Sequence, residues 1–324
     1  MTEFKARIAG IGSYLPERIL TNEEISSMVD TSDSWIRERT GIRQRHIAPD
    51  GVTTADLAEQ AARRALDDAG ISAEDVDLIV VATTTPDFTF PSVGTLLQAR
   101  LGATQGAAFD VQAVCTGFVY ALSVADNMIA RGQAKTAIVV GAETMSRILD
   151  WTDRTTCVLF GDGAGAMVLT GQDAGDEASP GIMGTYLRSD GRFKDLLHVD
   201  GGPSSTGTVG QLRMIGNQVF RHAVTNIAES MTTIAGRAGV TIEEIDWFVP
   251  HQANQRILEG VARKLSIPTE KVISTVADHG NTSAASVPLA FDRAVQDGRI
   301  KRGDLVLMEA LGGGFTWGAA LVRY

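Results

Sequence analysis

The chain is short of cysteine, of aromatic residues and of positive charge, and each shortage excludes something. Its 324 residues include two cysteines, Cys115 and Cys157. That is no disulfide framework, and it points to a reducing compartment. Lys and Arg number 29 against 39 Asp and Glu, for a formal net charge of -10. Phosphate binding needs clustered Lys and Arg, so a general nucleic-acid binder is excluded. The longest aliphatic runs, such as Leu78 to Ala82, are far too short to span a membrane. The start, Met1-Thr2-Glu3-Phe4-Lys5, lacks the basic-then-apolar layout of a signal peptide. His46, His198 and His222 have no neighbours at metal-ligand spacing, so no zinc or iron site is expected. Together these absences predict a soluble, cytoplasmic protein without metal, and with no nucleic-acid or membrane partner.

Glycine is what the chain has in quantity, 34 residues, alongside 44% apolar and 21% charged residues. Global disorder is thereby excluded, and one large domain or two is expected. The segment from Gly171 to Gly181, rich in Asp, Gly, Ala and Ser, is the best candidate boundary. It divides the chain into an N-terminal half, 1–175, and a C-terminal half, 176–324.

The halves repeat. Ala69-Gly70-Ile71-Ser72-Ala73-Glu74-Asp75-Val76-Asp77-Leu78-Ile79-Val80 parallels Ala238-Gly239-Val240-Thr241-Ile242-Glu243-Glu244-Ile245-Asp246-Trp247-Phe248-Val249. In each copy a helix ends at Gly, an acidic turn follows and an apolar strand begins. The first helix is predicted from about Thr54 to Ala69, with Leu57, Ala58, Ala61, Ala62, Ala65 and Leu66 at helical spacing. A looser match aligns Cys115-Thr116-Gly117 with Asn281-Thr282-Ser283, each leading into a helix apolar all round and therefore buried. Pro288 predicts a kink or a late start in the second. Aliphatic strands follow, Thr136 to Val140 and Asp304 to Met308, then glycine-rich strand pairs near Gly163–Leu169 and Gly313–Val322. Strand and helix alternate twice, which predicts an α/β fold with two pseudo-symmetric halves and a site where they meet.

Four features carry chemistry. Cys115 opens the first buried helix, where the helix dipole favours thiolate; from position alone the commoner reading of a free cysteine is a buried, inert core residue. His251, in Pro250-His251-Gln252-Ala253-Asn254, lies just past a strand's carboxyl end, the edge where α/β sheets bind ligands. Asn281 suits a helix cap, a role that leaves its side chain near a site. The run Leu311-Gly312-Gly313-Gly314-Phe315-Thr316-Trp317-Gly318 permits close approach of backbone N–H groups to a substrate oxyanion, or forms a tight turn. Gly161-Asp162-Gly163-Ala164-Gly165 precedes no helix, which rejects a dinucleotide loop. Cys157, in Thr156-Cys157-Val158-Leu159-Phe160, reads as the core of a strand.

Taken together these residues resemble the thiolase-fold condensing enzymes, and most closely the β-ketoacyl-acyl carrier protein synthase III family. The resemblance runs nearly the full length, from Gly10-Ile11-Gly12-Ser13-Tyr14-Leu15-Pro16 to Thr316-Trp317-Gly318. It is carried by Asp33-Ser34-Trp35-Ile36, Arg39-Thr40-Gly41-Ile42-Arg43, Cys115-Thr116-Gly117-Phe118, Gly161-Asp162-Gly163-Ala164-Gly165, Pro250-His251-Gln252-Ala253-Asn254 and His279-Gly280-Asn281-Thr282-Ser283-Ala284. It implies that Cys115 takes an acyl group from a short acyl-CoA, and that malonyl-acyl carrier protein then enters. His251 and Asn281 bond the malonyl thioester carbonyl, CO2 leaves, and the enolate attacks acyl-Cys115. The N–H groups of Cys115 and Gly313 hold the oxyanion.

By the same resemblance, Trp35 and Arg154 stack the CoA adenine, with Arg39 and Thr40 in the same region. Asn217, Phe220 and Asn254 line the pantetheine tunnel. Phe90, from the partner of a homodimer, closes an acyl pocket that also holds Leu311, and favours acetyl-CoA. Arg221, Arg256, Arg263 and Lys264 dock the acidic carrier protein. Acyl-CoA is a substrate, and no cofactor is implied. The chain departs from the pattern at Leu311, where the best-known members carry Phe, and at Gln112 and Thr116, where smaller residues are common. Ala310 and Leu311 stand where a thiolase carries its second cysteine. A starter enzyme of polyketide or other secondary metabolism, and a Cys-His-Asn thioester hydrolase, are the alternatives.

Overall fold

The computed structural model describes residues 4–173 and 179–324. The predicted junction at 175/176 lies outside them. On either side stands a mixed sheet, and the two sheets are built alike. The first takes β1 (Phe4–Tyr14), β2 (Leu78–Ala82), β3 (Ala107–Val111), β4 (Thr136–Thr144) and β5 (Asp162–Asp173), ordered β1-β5-β4-β2-β3. The second takes β6 (Gly181–Ser189), β7 (Trp247–Pro250), β8 (Leu305–Gly312) and β9 (Thr316–Arg323), ordered β7-β8-β9-β6. In both, one pair is parallel where its counterpart is parallel: β2 with β4, β7 with β8. The counterpart of β3 shrinks to a parallel bridge between Phe248 and Val272, with the Ile273 N–H donating to Phe248 O at 2.8 Å.

Between the sheets lie the two apolar helices, α2 (Gly117–Ala130) and α5 (Ser286–Gln296); helices α1 (Thr54–Ala69), α3 (Gly216–Arg237) and α4 (Gln255–Lys264) cover outer faces. Alternation along a strand sorts its side chains between layers. Leu78, Val80 and Ala82 pack with Phe118 and Phe291 in the central layer, and Ile79 and Val81 pack with Leu57 and Leu66 of α1. Val306, Met308 and Ala310 face the centre, and Leu305, Leu307 and Leu311 face the layer that includes Ile227 and Met231 of α3. The apolar composition of α2 follows from its place: it meets protein on nearly every side.

The predicted α1 spans the expected residues, and Gly70 and Gly239 both take left-handed φ, 63° and 72°, as a helix C-terminal glycine does. Two readings need correction. Thr156 to Leu159 is a series of turns and Phe160 makes only an isolated bridge to Asn281, so the segment is not a strand, although Cys157 is wholly buried as expected. The second repeat is offset by three residues. A tight one-turn helix, Val114–Thr116, precedes α2, and its counterpart before α5 is Ser283–Ala285. Ala284, rather than Asn281, therefore stands where Cys115 stands in the first half. Pro288 falls in the first turn of α5, where its missing N–H breaks no helical bond.

Candidate active site

The two one-turn helices meet at the centre of the molecule. Val114 and Ser283 hold equivalent places and both take left-handed φ, 50° and 49°. A β-branched residue is seldom found there, and the strain is about 1–3 kcal/mol per residue, sustained only when neighbours fix the backbone. Around Val114 they do. The Thr316 hydroxyl donates to Ala113 O at 2.8 Å, and the Thr116 hydroxyl donates to Thr316 O at 3.0 Å. The C-terminal glycine run thus grips the Cys115 turn from both sides. A Cβ on Gly312 would lie 2.6 Å from the Cys115 nitrogen, so only glycine allows this approach.

Asn281 is held by its backbone. Its N–H donates to Leu159 O at 2.9 Å, and its carbonyl accepts from the Gly161 N–H at 3.0 Å. The segment 158–161 is braced in turn by Arg45, wholly buried, which donates to Val158 O at 2.6 Å. Asn281 Oδ1 accepts from the Ser283 N–H at 2.9 Å, the turn-capping bond expected of Asn. His251 follows β7, and its N–H donates to Glu309 O of β8 at 2.8 Å. Its Nδ1 lies 2.6 Å from Ser286 Oγ, which also accepts from the Gln252 N–H at 3.2 Å.

Cys115, His251 and Asn281 line one cavity of about 70 Å³. Its other walls include Phe160, Leu197, Met214, Val219, Ala223, Ile227 and Leu311, so the reacting groups sit in apolar surroundings. Burial governs their protonation. It pushes the Cys115 thiol up to about 12, with the nearby Glu143 charge adding to it against a hydrogen bond from Ser283. Burial thus favours the neutral thiol, against the pull of the helix start toward thiolate. Burial lowers His251 to about 3, which keeps the imidazole neutral.

Toward the surface, Arg39 and Arg154 both lie over the Trp35 ring, 4.6 and 5.2 Å from its centre. These three predicted residues are brought together, with both guanidiniums exposed. Thr40 is not with them. It is buried, donates to Ile36 O at 2.6 Å and accepts from the Ile42 N–H at 3.0 Å. Asn254 lines the cavity and caps α4 through Oδ1, 3.0 Å from the Ile257 N–H. Asn217 and Phe220 lie on the first turns of α3, where Phe220 packs against Gly260 of α4. Arg221, Arg256, Arg263 and Lys264 are all exposed on these two neighbouring helices. Gly313 follows Gly312 and packs on Leu197 O, and neither glycine is among the residues that line the cavity, whose wall ends at Leu311 in this segment. Phe90 is 85% exposed and lies outside the cavity lining.

Ser286, Ser283, Glu143 and Arg45 escaped sequence reasoning. Each acts through a partner distant in the chain, and only the quoted run ending Thr282-Ser283-Ala284 hinted at one of them. Among the described residues, no group of three or more His, Cys, Asp or Glu could hold a metal, and no helix is long and apolar enough to cross a membrane.

Comparison with known proteins gives the family and the fold. Residues 109–191 match the family described as 3-oxoacyl-[acyl-carrier-protein] synthase III, and residues 236–324 match its C-terminal counterpart. The chain is 64% identical to beta-ketoacyl-[acyl-carrier-protein] synthase III of Rhodospirillum centenum and 62% identical to that of Caulobacter vibrioides, covering 98% of each chain. It is similar to the crystal structure of 3-oxoacyl-[acyl-carrier-protein] synthase III from Aquifex aeolicus, with TM-score 0.93 and 47% identity over 98% of this chain and 100% of that one. With a thiol, a neutral imidazole and a carboxamide gathered in one buried cavity between two like halves, the chain belongs to the thiolase-fold β-ketoacyl-acyl carrier protein synthase III family of condensing enzymes.

Proposed function

We propose that Cys115, His251 and Asn281 divide the decarboxylative condensation that starts fatty acid synthesis into two half-reactions run in one cavity. The enzyme is an acyl-transferring condensing enzyme, and the polyketide-starter and hydrolase alternatives are not favoured. Cys115 attacks an acyl-CoA thioester, forms acyl-Cys and releases CoA. Malonyl-acyl carrier protein then enters. His251 and Asn281 donate hydrogen bonds to its thioester carbonyl, CO2 departs, and the enolate attacks the acyl-Cys115 carbonyl. The observation that carries this reading is that all three side chains line the same 70 Å³ cavity.

Neutral His251 suits its role: in the tautomer in which Ser286 donates to Nδ1, the ring hydrogen stands on Nε2 and is free to be donated to the thioester carbonyl. Two fixed donors to a developing enolate oxygen matter because losing one such donor costs about 10²–10³-fold in rate. The N–H groups of Cys115 and Gly313 are the donors for the second oxyanion. Arg39 and Arg154 over Trp35 offer flat, charged faces to the CoA adenine and phosphates. Asn217, Phe220 and Asn254 flank the pantetheine path, and Arg221, Arg256, Arg263 and Lys264 dock the carrier protein. The primer is a short acyl-CoA such as acetyl-CoA, and no cofactor takes part.

The working form is a cytoplasmic homodimer. Phe88 and Phe90 stand 57% and 85% exposed, and β3 leaves one side of the first sheet unpaired with half-buried residues. A second copy covers both and carries Phe90 to the partner's acyl pocket. Intact-protein mass spectrometry with a panel of acyl-CoAs, followed by malonyl-acyl carrier protein, tests the reading. A single adduct on Cys115, cleared by the malonyl partner with CO2 release, is the expected result. An adduct cleared equally fast by water alone contradicts it.

A further inference from the structure

Asn281 Oδ1 is taken by the Ser283 N–H at 2.9 Å, which leaves the carboxamide NH2 as the group that Asn281 offers to the cavity. The turn fixes the side chain, so the place of that NH2 depends on the Asn281 backbone. Two bonds set it: the Asn281 N–H to Leu159 O at 2.9 Å, and the Gly161 N–H to Asn281 O at 3.0 Å. Leu159, Phe160 and Asn281 together form one wall of the cavity, and Arg45 stands behind that wall. A Cβ on Gly161 would lie 2.9 Å from Arg45 Cβ, and one on Gly280 would lie 3.0 Å from it. Two glycines thus admit the Arg45 stem on either side of the Asn281 bridge.

The guanidinium continues the contact. Its Nη2 donates to Val158 O at 2.6 Å, and Nη1 donates to Asn22 Oδ1 at 2.9 Å and to Leu20 O at 3.2 Å. All three acceptors are neutral. Burial lowers Arg45 to about 10, so it remains a cation at neutral pH. A wholly buried cation is weak evidence for stability, since an apolar residue would fill the space at less cost. What only a guanidinium offers is donors held in one rigid plane. Asn22, also wholly buried, passes the line on: its Nδ2 donates to Asp33 Oδ1 and to Ile42 O, at 2.8 Å each. The Asp33 carboxylate thus answers the Arg45 charge through one carboxamide, and Asp33 opens the helix Asp33–Thr40 that carries Trp35 and Arg39.

We propose that Arg45 is a positioning residue for Asn281 in the malonyl half-reaction. It fixes the 158–161 segment, that segment fixes the Asn281 backbone, and the NH2 is thereby held where the thioester carbonyl becomes an enolate. Cys115 is held independently. The Thr316 and Thr116 hydroxyls and the close approach of Gly312 fix its turn, and none of these contacts involves Arg45. The inference rests on the reading of Asn281 as a donor to the thioester carbonyl. It predicts an asymmetry: loss of Arg45 slows CO2 release and spares acylation. A residue that merely held the fold together would affect both.

The test uses the full-length enzyme with Arg45→Met, Arg45→Lys, Asn281→Ala and the double variant Arg45→Met with Asn281→Ala. Both half-reactions are read: CO2 release from malonyl-acyl carrier protein, and adduct formation on Cys115 from acetyl-CoA. Arg45→Met should lower kcat for CO2 release by about 10–100-fold, the cost of misplacing a catalytic donor by about 1 Å. KM for malonyl-acyl carrier protein and the acylation rate should stay within about threefold of wild type. Arg45→Lys should recover part of the loss, because an ammonium supplies the charge and a donor but not the rigid fork. The double variant should release CO2 no more slowly than Asn281→Ala, as for groups acting in series. Should Arg45→Met not fold, Arg45→Lys carries the same comparison of the two rates. Equal losses in acylation and CO2 release, or losses that multiply in the double variant, would overturn the positioning role. So would CO2 release by Arg45→Met within about threefold of wild type. Asn281→Ala releasing CO2 at the wild-type rate would overturn the donor reading instead.

Discussion

Val114 and Ser283 sit at the same place in the two halves, with φ of 50° and 49°, and the turns around them have diverged in what they carry. The first turn presents a thiol at Cys115. The second presents apolar Ala284 there and instead supplies hydroxyls: Ser283 toward the thiol and Ser286 to His251. Each turn also rests on a glycine of the other half. A Cβ on Gly312 would lie 2.6 Å from the Cys115 nitrogen, and one on Gly141 would lie 2.3 Å from Ala284 O. The two halves share one backbone turn and carry different side chains on it. In the proposed reaction the first half binds the acyl group covalently, and the second makes the nucleophilic carbon. Neither half contains a site by itself.

Breaking that division at its most exposed point should give the largest effect. Cys115→Ala should abolish acyl-enzyme formation and condensation, read by intact mass and by product. His251→Ala comes next, with malonyl decarboxylation, measured as CO2 release, falling by about 10²–10³-fold. The glycine contacts should be alike on the two sides. Gly312→Ala and Gly141→Ala should each lose about 1–3 kcal/mol in urea unfolding from overpacking; a large loss on one side and none on the other would deny that the turns are equivalently supported.

Two buried groups of the second half should bend stability in opposite directions with pH. His251 is lowered to about 3 by burial. Its neutral form contributes fully above about 6.5, and that contribution is lost as pH falls toward about 3, because the unfolded chain binds the extra proton. Glu309 is raised to about 8 by burial, with Oε2 unpartnered. Its contribution is present below about 4.5 and is lost as pH rises through about 8, because the folded state then holds the extra proton. Glu309→Gln should flatten the alkaline limb alone in thermal unfolding. The smallest effect is expected at the rim. Arg256→Glu should slow the carrier-protein step by severalfold, about 1 kcal/mol or less for an exposed charge, and spare acylation by acyl-CoA.

The first repeat was legible because its marker is local: the end of an amphipathic helix, a left-handed glycine at Gly70 or Gly239, an acidic turn and a strand, all within a dozen residues. The second was misaligned by three residues because its true anchor, the left-handed residue, is Val114 in one copy and Ser283 in the other. Neither residue type signals that conformation. The apolar run around Cys157 read as a strand, yet its backbone bonds close turns, such as the Cys157 N–H to Asp153 O at 3.0 Å. Cys115, His251 and Asn281 were legible from residue type and motif. Glu143, Ser283 and Ser286 were not, since a hydroxyl or carboxyl inside an apolar stretch acquires meaning only from what folds against it. Of the two sequence readings of Cys115, the helix start favours thiolate, and burial in an apolar helix favours the thiol, the direction its surroundings give.

The division of labour between halves is tested most directly by a crossed assay. Acyl-adduct formation and CO2 release from malonyl-acyl carrier protein are measured side by side in Cys115→Ala and His251→Ala. Cys115→Ala should release CO2 without forming an adduct, and His251→Ala should form the adduct with little CO2 release. Equal loss of both activities in both variants would contradict two half-reactions run by two halves of one cavity.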